Sequence, residues 1–327
     1  MQNKVLTKII LSGLIAVISG SATLANAAGA EIYGKAFLTV QNSEEEATAV
    51  DKTELLSNAS RIGFKGESDL DNGLKVIYQG EYETKMDDGT PVFAQRNIFA
   101  GLKGGFGTLV GGKNDSPLKL AQNKIDLFND LSGDFKGIFQ GENRPGNIIM
   151  YTTPDFSGFQ VTAASILSEA NSTPAPATAE DGLSVSAAYT KDKLYLALAI
   201  DSSVGSSQLK TATRDITRLV GQFSVGSFTF GLMSQTTEKS NPDPLVANDD
   251  KSESGVFASV AYKMGNVTLK AQTGASDELL VGGEQTSLGL DYKLGGKTKV
   301  FGFYTDLSVD AANSDRNYVG LGLEHNF

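Results

Sequence analysis

Residues 317–327 read NYVGLGLEHNF, and the alternation in this stretch decides the fold. Val319, Leu321, Leu323 and Phe327 share one parity, while Tyr318, Gly320, Gly322, Glu324 and Asn326 share the other. A period of two is the mark of a β-strand with one apolar face. Chain ends are ordinarily frayed and polar, because ordering them costs entropy that few contacts repay. A phenylalanine closing such a strand therefore needs a partner strand and apolar surroundings to hold it.

The same alternation runs back through the chain. In EIYGKAFLTV, Ile32, Ala36, Leu38 and Val40 oppose Glu31, Lys35 and Thr39; in GLKVIYQGEYE, Leu74, Val76, Tyr78 and Tyr82 oppose Lys75, Gln79, Glu81 and Glu83. Val256, Ala258, Val260 and Tyr262 line up in GVFASVAYK. Sixteen candidate strands begin near Glu31, Asn58, Gly73, Phe93, Gly105, Asn147, Gly158, Gly182, Lys193, Ile216, Ser227, Ser254, Asn266, Glu284, Lys297 and Arg316. Short connections such as KGGFG, PDFSG and MGN carry tight-turn chemistry. They take turns with long polar ones such as NSEEEATAVDKTELLS, the stretch from Lys113 to Pro145, and SDELLVGG. Strict alternation puts all the long connections at one end, which is the organisation of a transmembrane antiparallel β-barrel. Its last strand must pair with its first, so Phe327 is expected at a membrane boundary beside the strand beginning at Glu31, as the residue on which assembly depends. Tyr78, Tyr82, Tyr151, Tyr262, Tyr292 and Phe327, near strand ends, are candidates for interfacial girdles.

Composition is compatible with this and narrows the alternatives. The chain has 327 residues, no Cys, no Trp and a formal charge of -10. Lys4 and Lys8 precede the apolar IILSGLIAVISG, and Ala25-Asn26-Ala27 follows, the pattern of a cleaved export signal over residues 1–27. Its removal takes the charge to -12 and leaves a barrel over 28–327. So acidic a surface argues against nucleic acid, whose phosphates demand Lys and Arg. The single histidine, His325, has lipid-face parity and no partner for a triad, and no second His or Cys is present for a transition-metal site. Asp243, Asp249 and Asp250 lie in NPDPLVANDDKSE without the pattern of a calcium loop. No catalysis, metal or cofactor is expected.

Five stretches, in order, resemble the general diffusion porins of Gram-negative outer membranes: IYGKAFL, SRIGFKGES, RNIFAGLK, NRPGNIIMYTTPDFSGF and the closing VGLGLEHNF. The resemblance implies sixteen strands, a homotrimer in outer-membrane lipid, export through the periplasm, and an inward-folded third loop that narrows a passive channel for small hydrophilic solutes and ions. The loop here lacks the Pro-Glu-Phe-Gly-Gly run typical of enterobacterial members. Carried over residue by residue, the basic side of the constriction is Lys35, Arg61, Arg96 and Arg144. Parity independently puts Lys35, Arg61 and Arg96 on the face opposite the apolar one, with Lys65 and Lys75 as possible additions; a charge on the lipid face would cost about 2–4 kcal/mol at mid-membrane.

The third loop offers Asp115, Asp126, Asp130, Asp134 and Glu142 as the acidic side, with Asp126 and Asp130 the first choices to face the pore. It also carries Leu118, Leu120, Ile125, Leu127, Phe128, Leu131, Phe135, Ile138 and Phe139, more apolar surface than a loop in water would expose. It is expected to pack on the inner wall. Near-even constriction charge with acidic mouth loops implies a weak cation preference that shrinks as salt rises. Two alternatives stand beside this reading: a substrate-selective porin, for which Tyr33, Phe37, Phe301 and Phe303 look too scattered to form an aromatic stripe, and a structural or adhesive barrel with a plugged lumen.

Overall fold

Alternating sequences can satisfy their backbone hydrogen bonds in a membrane only by closing a sheet on itself, and the chain does so. The computed structural model describes residues 30–46, 49–89, 93–168, 181–209, 213–243, 245, 250–311 and 314–327. The expected export signal lies outside the described residues. Strands run in the order β1 (Glu31–Glu45), β2 (Val50–Ser57), β3 (Arg61–Asp69), β4 (Lys75–Thr84), β5 (Phe93–Gly104), β6 (Gly107–Lys113), β7 (Ile148–Thr152), β8 (Phe159–Ile166) and β9 (Gly182–Lys191). They continue with β10 (Leu194–Gly205), β11 (Thr213–Val225), β12 (Phe228–Lys239), β13 (Glu253–Met264), β14 (Val267–Ser276), β15 (Gly283–Gly295), β16 (Thr298–Ser308) and β17 (Arg316–Asn326).

Neighbours pair antiparallel, and β1 closes the barrel on β17 with Lys35 opposite Asn326 and Glu45 opposite Arg316. Phe327 takes part in that closure: its amide donates to the Gly34 carbonyl at 3.0 Å, and its carbonyl accepts the Gly34 amide at 3.3 Å. Its ring lies across Gly34, where any Cβ would collide with it. The apolar end is therefore held on both its backbone and its side chain.

The segments fill sixteen positions, because β2 and β3 share one: β2 pairs with Leu38–Glu45 of β1 and β3 with Glu31–Lys35. Between them Ala59 adopts a left-handed φ of 50°, and the Ser60 hydroxyl accepts from the Phe37 amide at 3.0 Å and donates to its carbonyl at 3.1 Å. The polar stretch 42–57, expected to be a loop, is thus mostly strand. Its central rungs, Asn42–Thr53, Ser43–Lys52 and Glu44–Asp51, are polar on both faces, and the Asn42 amide meets Asp51 at 2.9 Å, so this part shows no apolar parity.

Orientation is inverted relative to a soluble protein. Leu196, Leu198 and Ile200 of β10 are 46, 47 and 47% exposed, whereas Ala197 and Ala199 between them are buried. Leu321 and Leu323 of β17, Leu288 and Leu290 of β15, and Phe230 and Leu232 of β12 are likewise exposed. The opposite parity carries buried polar side chains, among them Gln41, Arg218, Gln235, Gln272, Ser287 and Thr305. An apolar exterior around a polar interior is the pattern of a barrel solvated by lipid. Aromatics collect at the short-turn end: Tyr151, Tyr292 and Phe327 are exposed there, and Phe228 packs on Tyr262 with ring centroids 4.5 Å apart. No helix among the described residues is long and apolar enough to cross a membrane.

Candidate functional site

The connection from β6 to β7, residues 114–147, is built to hold a shape of its own. Ser116 caps the short helix α1 (Pro117–Ala121) by accepting the Lys119 amide at 3.2 Å, with proline in the first turn where its missing N–H costs nothing. Asp126 accepts the amides of Phe128 at 2.9 Å and Phe135 at 3.2 Å. Asp134 accepts those of Asp130 and Lys136, both at 2.9 Å, and pairs with the Lys136 ammonium at 2.8 Å. Asn123 and Asp130 take left-handed φ of 54° and 67°, a conformation their short polar side chains tolerate.

The apolar side chains of this segment pack as expected from sequence. Leu118, Ile125, Phe128, Phe135, Ile138 and Phe139 are fully buried; Leu120 is the exception at 47% exposed. Phe128 meets Phe303 edge-on at 6.4 Å, and Phe135 and Phe139 pack on Phe257 at 5.4 and 6.5 Å. Phe37, Phe301 and Phe303, which look scattered in sequence, form one buried cluster with Phe128 and Leu131. Gly231 and Gly289 leave room for Ile125 and Phe128, whose atoms would stand 2.8 and 2.7 Å from a Cβ there. Polar wall residues complete the contact. Gln272 accepts the Leu127 amide at 2.8 Å and donates to the Gly133 carbonyl at 2.7 Å, and Ser132 donates to Gln41 at 2.9 Å. Lys270 donates to the Leu127 carbonyl at 3.0 Å and lies 4.6 Å from the Phe128 ring centre. All these partners have the parity opposite to the exposed leucines, so the segment lies against the inner wall.

At its tip the segment meets the charged wall. Asp130 pairs with Lys35 at 2.9 Å and Arg61 at 2.6 Å. Arg61 lies 3.7 Å from Glu81, and Arg96 bridges Glu81 at 2.8 Å and Glu83 at 3.0 Å. Lys35, Arg61 and Arg96 thus form one ladder with three carboxylates. Burial opposes ionisation of Asp130, but Lys35 and Arg61 outweigh it and hold its carboxyl well below the usual carboxylate range. A register shift between Gly80/Ile98 and Tyr82/Gln95 lets adjacent Arg96 and Asn97 both serve the interior. Asn97 leads to a second group: Arg144 pairs with Asp115 at 2.9 Å, Lys119 with Asp115 at 3.0 Å, and Arg144 donates to Asn97 at 2.8 Å.

The remaining sequence candidates sit elsewhere. Asp126 and Asp134 bind amides of their own segment, and Glu142 pairs with buried Arg218 at 2.8 Å behind it. Lys65 and Lys75 make exposed pairs, Lys65 with Glu31 at 3.5 Å and Lys75 with Asp69 at 3.4 Å. The sequence reading named neither Glu81 and Glu83 as site residues nor Arg218; for the first two the signal was their polar-face parity. It also missed the row Lys270, Asp291, Lys299 and Glu324, linked at 2.8, 3.0 and 3.2 Å. His325 shares a hydrogen bond with the Thr298 hydroxyl at 2.8 Å and stacks on Phe327.

Known proteins carry the same architecture. The chain is 25% identical to major outer membrane protein P.IB of Neisseria gonorrhoeae over 96% of its length and 89% of that protein. An anion-selective porin from Comamonas acidovorans superposes with a TM-score of 0.76 at 20% identity, covering 91% of this chain and 99% of that one. OmpT of Vibrio cholerae, in a trimer form, superposes with a TM-score of 0.62 at 16% identity, covering 91% and 99%. The Gram-negative porin profile matches residues 13–327, and with that match the chain belongs to the Gram-negative porin family.

Proposed function

We propose that this outer-membrane porin, a water-filled channel for passive diffusion of small hydrophilic solutes and ions, sorts its cargo at the Lys35–Asp130–Arg61–Glu81–Arg96 ladder. One observation carries the reading: Asp130, on the inward segment, sits between two wall cations at 2.9 and 2.6 Å. The gap between segment and wall is then lined by fixed, nearly balanced charges, and a passing ion feels them with little water between. Arg144, Asp115 and Lys119 border the same passage. The channel couples no energy and catalyses no reaction. Arg61→Ala and Arg96→Ala are each expected to raise single-channel conductance and strengthen cation selectivity, since each removes volume and one positive charge. Conductance and reversal potential unchanged in both variants would refute this placement of the constriction.

The assembly is proposed to be a homotrimer in outer-membrane lipid, with residues 1–27 removed on export. OmpT of Vibrio cholerae, which shares the fold, occurs as a trimer. Unboiled protein is expected to run near three times the monomer mass. Phe327→Asp should weaken that band, chiefly because it removes the ring that lies across Gly34 at the barrel seam, and also because it puts a further carboxylate beside lipid. Wild-type amounts of folded oligomer in the variant would sink the assembly role of Phe327.

A further inference from the structure

Gln140, in the limb of the inward segment returning to β7, is fully buried, and four parts of the barrel hold it. Its amide donates to the Glu278 carboxylate at 2.9 Å, and its side-chain amide donates to the Glu278 carbonyl at 2.9 Å. Its carbonyl accepts from Arg218 of β11 at 2.8 Å and Gln235 of β12 at 3.0 Å. Its side-chain oxygen accepts from Ser206 and Arg214, both at 3.3 Å. Arg218 has no exposed surface. Besides Gln140 it reaches Gln235 at 2.6 Å, Glu142 at 2.8 Å and the Leu118 carbonyl at 3.5 Å, so one guanidinium ties both limbs of the segment to the wall. Glu278 also accepts from Gln235 at 2.6 Å. It belongs to the connection between β14 and β15, at the long-connection end of the barrel.

A planar fork with several fixed acceptors defines a geometry more sharply than a flexible ammonium does. A buried guanidinium facing a buried carboxylate is also strongly intolerant of losing either partner. Neither Arg218 nor Glu278 touches the Lys35–Asp130–Arg61 ladder. Their effect on permeation must act through the segment that carries Asp130 and Asp115.

We infer that Arg218 and Glu278 are positioning residues that clamp the constriction segment at Gln140, and that through Glu278 the outer β14–β15 connection is rigidly joined to the pore. The inference rests on the constriction reading above. It implies that the segment's closures are set at the clamp and its selectivity at the ladder.

Single channels of Arg218→Lys, Arg218→Ala, Glu278→Ala and the double Ala variant would be recorded in planar bilayers, alongside the temperature at which the folded gel band is lost. Arg218→Ala is expected to raise the frequency of closing steps at least about tenfold, with Arg218→Lys intermediate because one ammonium cannot reach both limbs. Glu278→Ala should raise it too, and the double variant should be no noisier than Arg218→Ala, since both residues act on Gln140. Quiet, wild-type traces in Arg218→Ala, or a lower melting temperature without added closures, would overturn the clamp. If Arg218→Ala does not assemble, quiet traces in Glu278→Ala overturn it instead. Failure of the constriction reading looks different, because there Arg61→Ala leaves conductance unchanged.

Discussion

Replacing Asp130 by asparagine is expected to reverse the weak cation preference expected of the channel and make it favour anions. Asparagine keeps the shape of the side chain and tolerates the left-handed φ of 67° at this position, so the substitution acts through charge. In the native ladder Lys35, Arg61 and Arg96 face Asp130, Glu81 and Glu83, and the pairs cancel. Without Asp130, Lys35 and Arg61 share no carboxylate and the ladder gains one net positive charge at its narrowest contact. One unit charge about 6 Å from the ion path in a water-like dielectric is worth about 0.7 kcal/mol. It acts with opposite sign on cations and anions, so the permeability ratio should move about three- to tenfold. Charges at the mouth, by contrast, are screened within about 8 Å at physiological salt. The reversal in Asp130→Asn should therefore persist at salt concentrations that erase the native preference. Reversal potentials across a salt gradient decide it, and a variant that stays cation-selective at every salt concentration would refute the ladder.

Much of this site was legible because a barrel obeys parity strictly. Lys35 and Arg61 each stand opposite an apolar face in their own strand, and a charge there has only one affordable side. Arg96 shares the parity of Ile98, Ala100 and Leu102 and faces inward only through the β4–β5 register shift. Parity says nothing about pairing across strands. That Glu81 serves both Arg61 and Arg96 depends on the β3–β4 register and on the shift between β4 and β5, neither of which a single strand encodes. The rule also fails where the interior is itself apolar. In β11, Ile216 and Val220 share the parity of Arg218 and are buried inside the barrel, while Leu219 is exposed on the outside. With apolar residues on both faces, the sequence could not say which was which, and Arg218 went unnoticed. The same cause hid Phe37, Phe301 and Phe303. They face inward because the constriction segment brings its own apolar surface to them. Among the segment's acids, sequence could not separate those that fold the loop from those that meet the wall. Asp126 and Asp134 spend their oxygens on local amides, and only the folded turn leaves Asp130 pointing at Lys35 and Arg61.

That division of labour gives the second large effect. Phe128→Ala should widen the pore without dismantling the barrel. Phe128 is fully buried between Phe303 and Lys270, two residues from the charged tip, and Gly289 gives it the room it occupies. Emptying such a site costs about 3–5 kcal/mol. The loss falls on docking of the segment, because the strand ladders from β14 to β17 do not depend on it. Two salt bridges at Asp130 remain, but they lie partly exposed to the pore water and hold the tip less firmly than a packed ring. The segment can then settle toward Gly289 and the inner wall, into the space the ring leaves, and the passage beside it widens. Conductance is expected to rise on the order of 1.5-fold, since flow scales with the area at the narrowest section, with a matching increase in the largest polymer that enters the channel. Leu120→Ala removes a comparable side chain of the same segment that is 47% exposed and packs on little, so it should leave both quantities alone. Equal conductance and polymer cutoff in Phe128→Ala and wild type would mean that the charged contacts alone hold the segment. The apolar surface conspicuous in its sequence would then serve folding and leave the pore width to Asp130 and the clamp at Gln140.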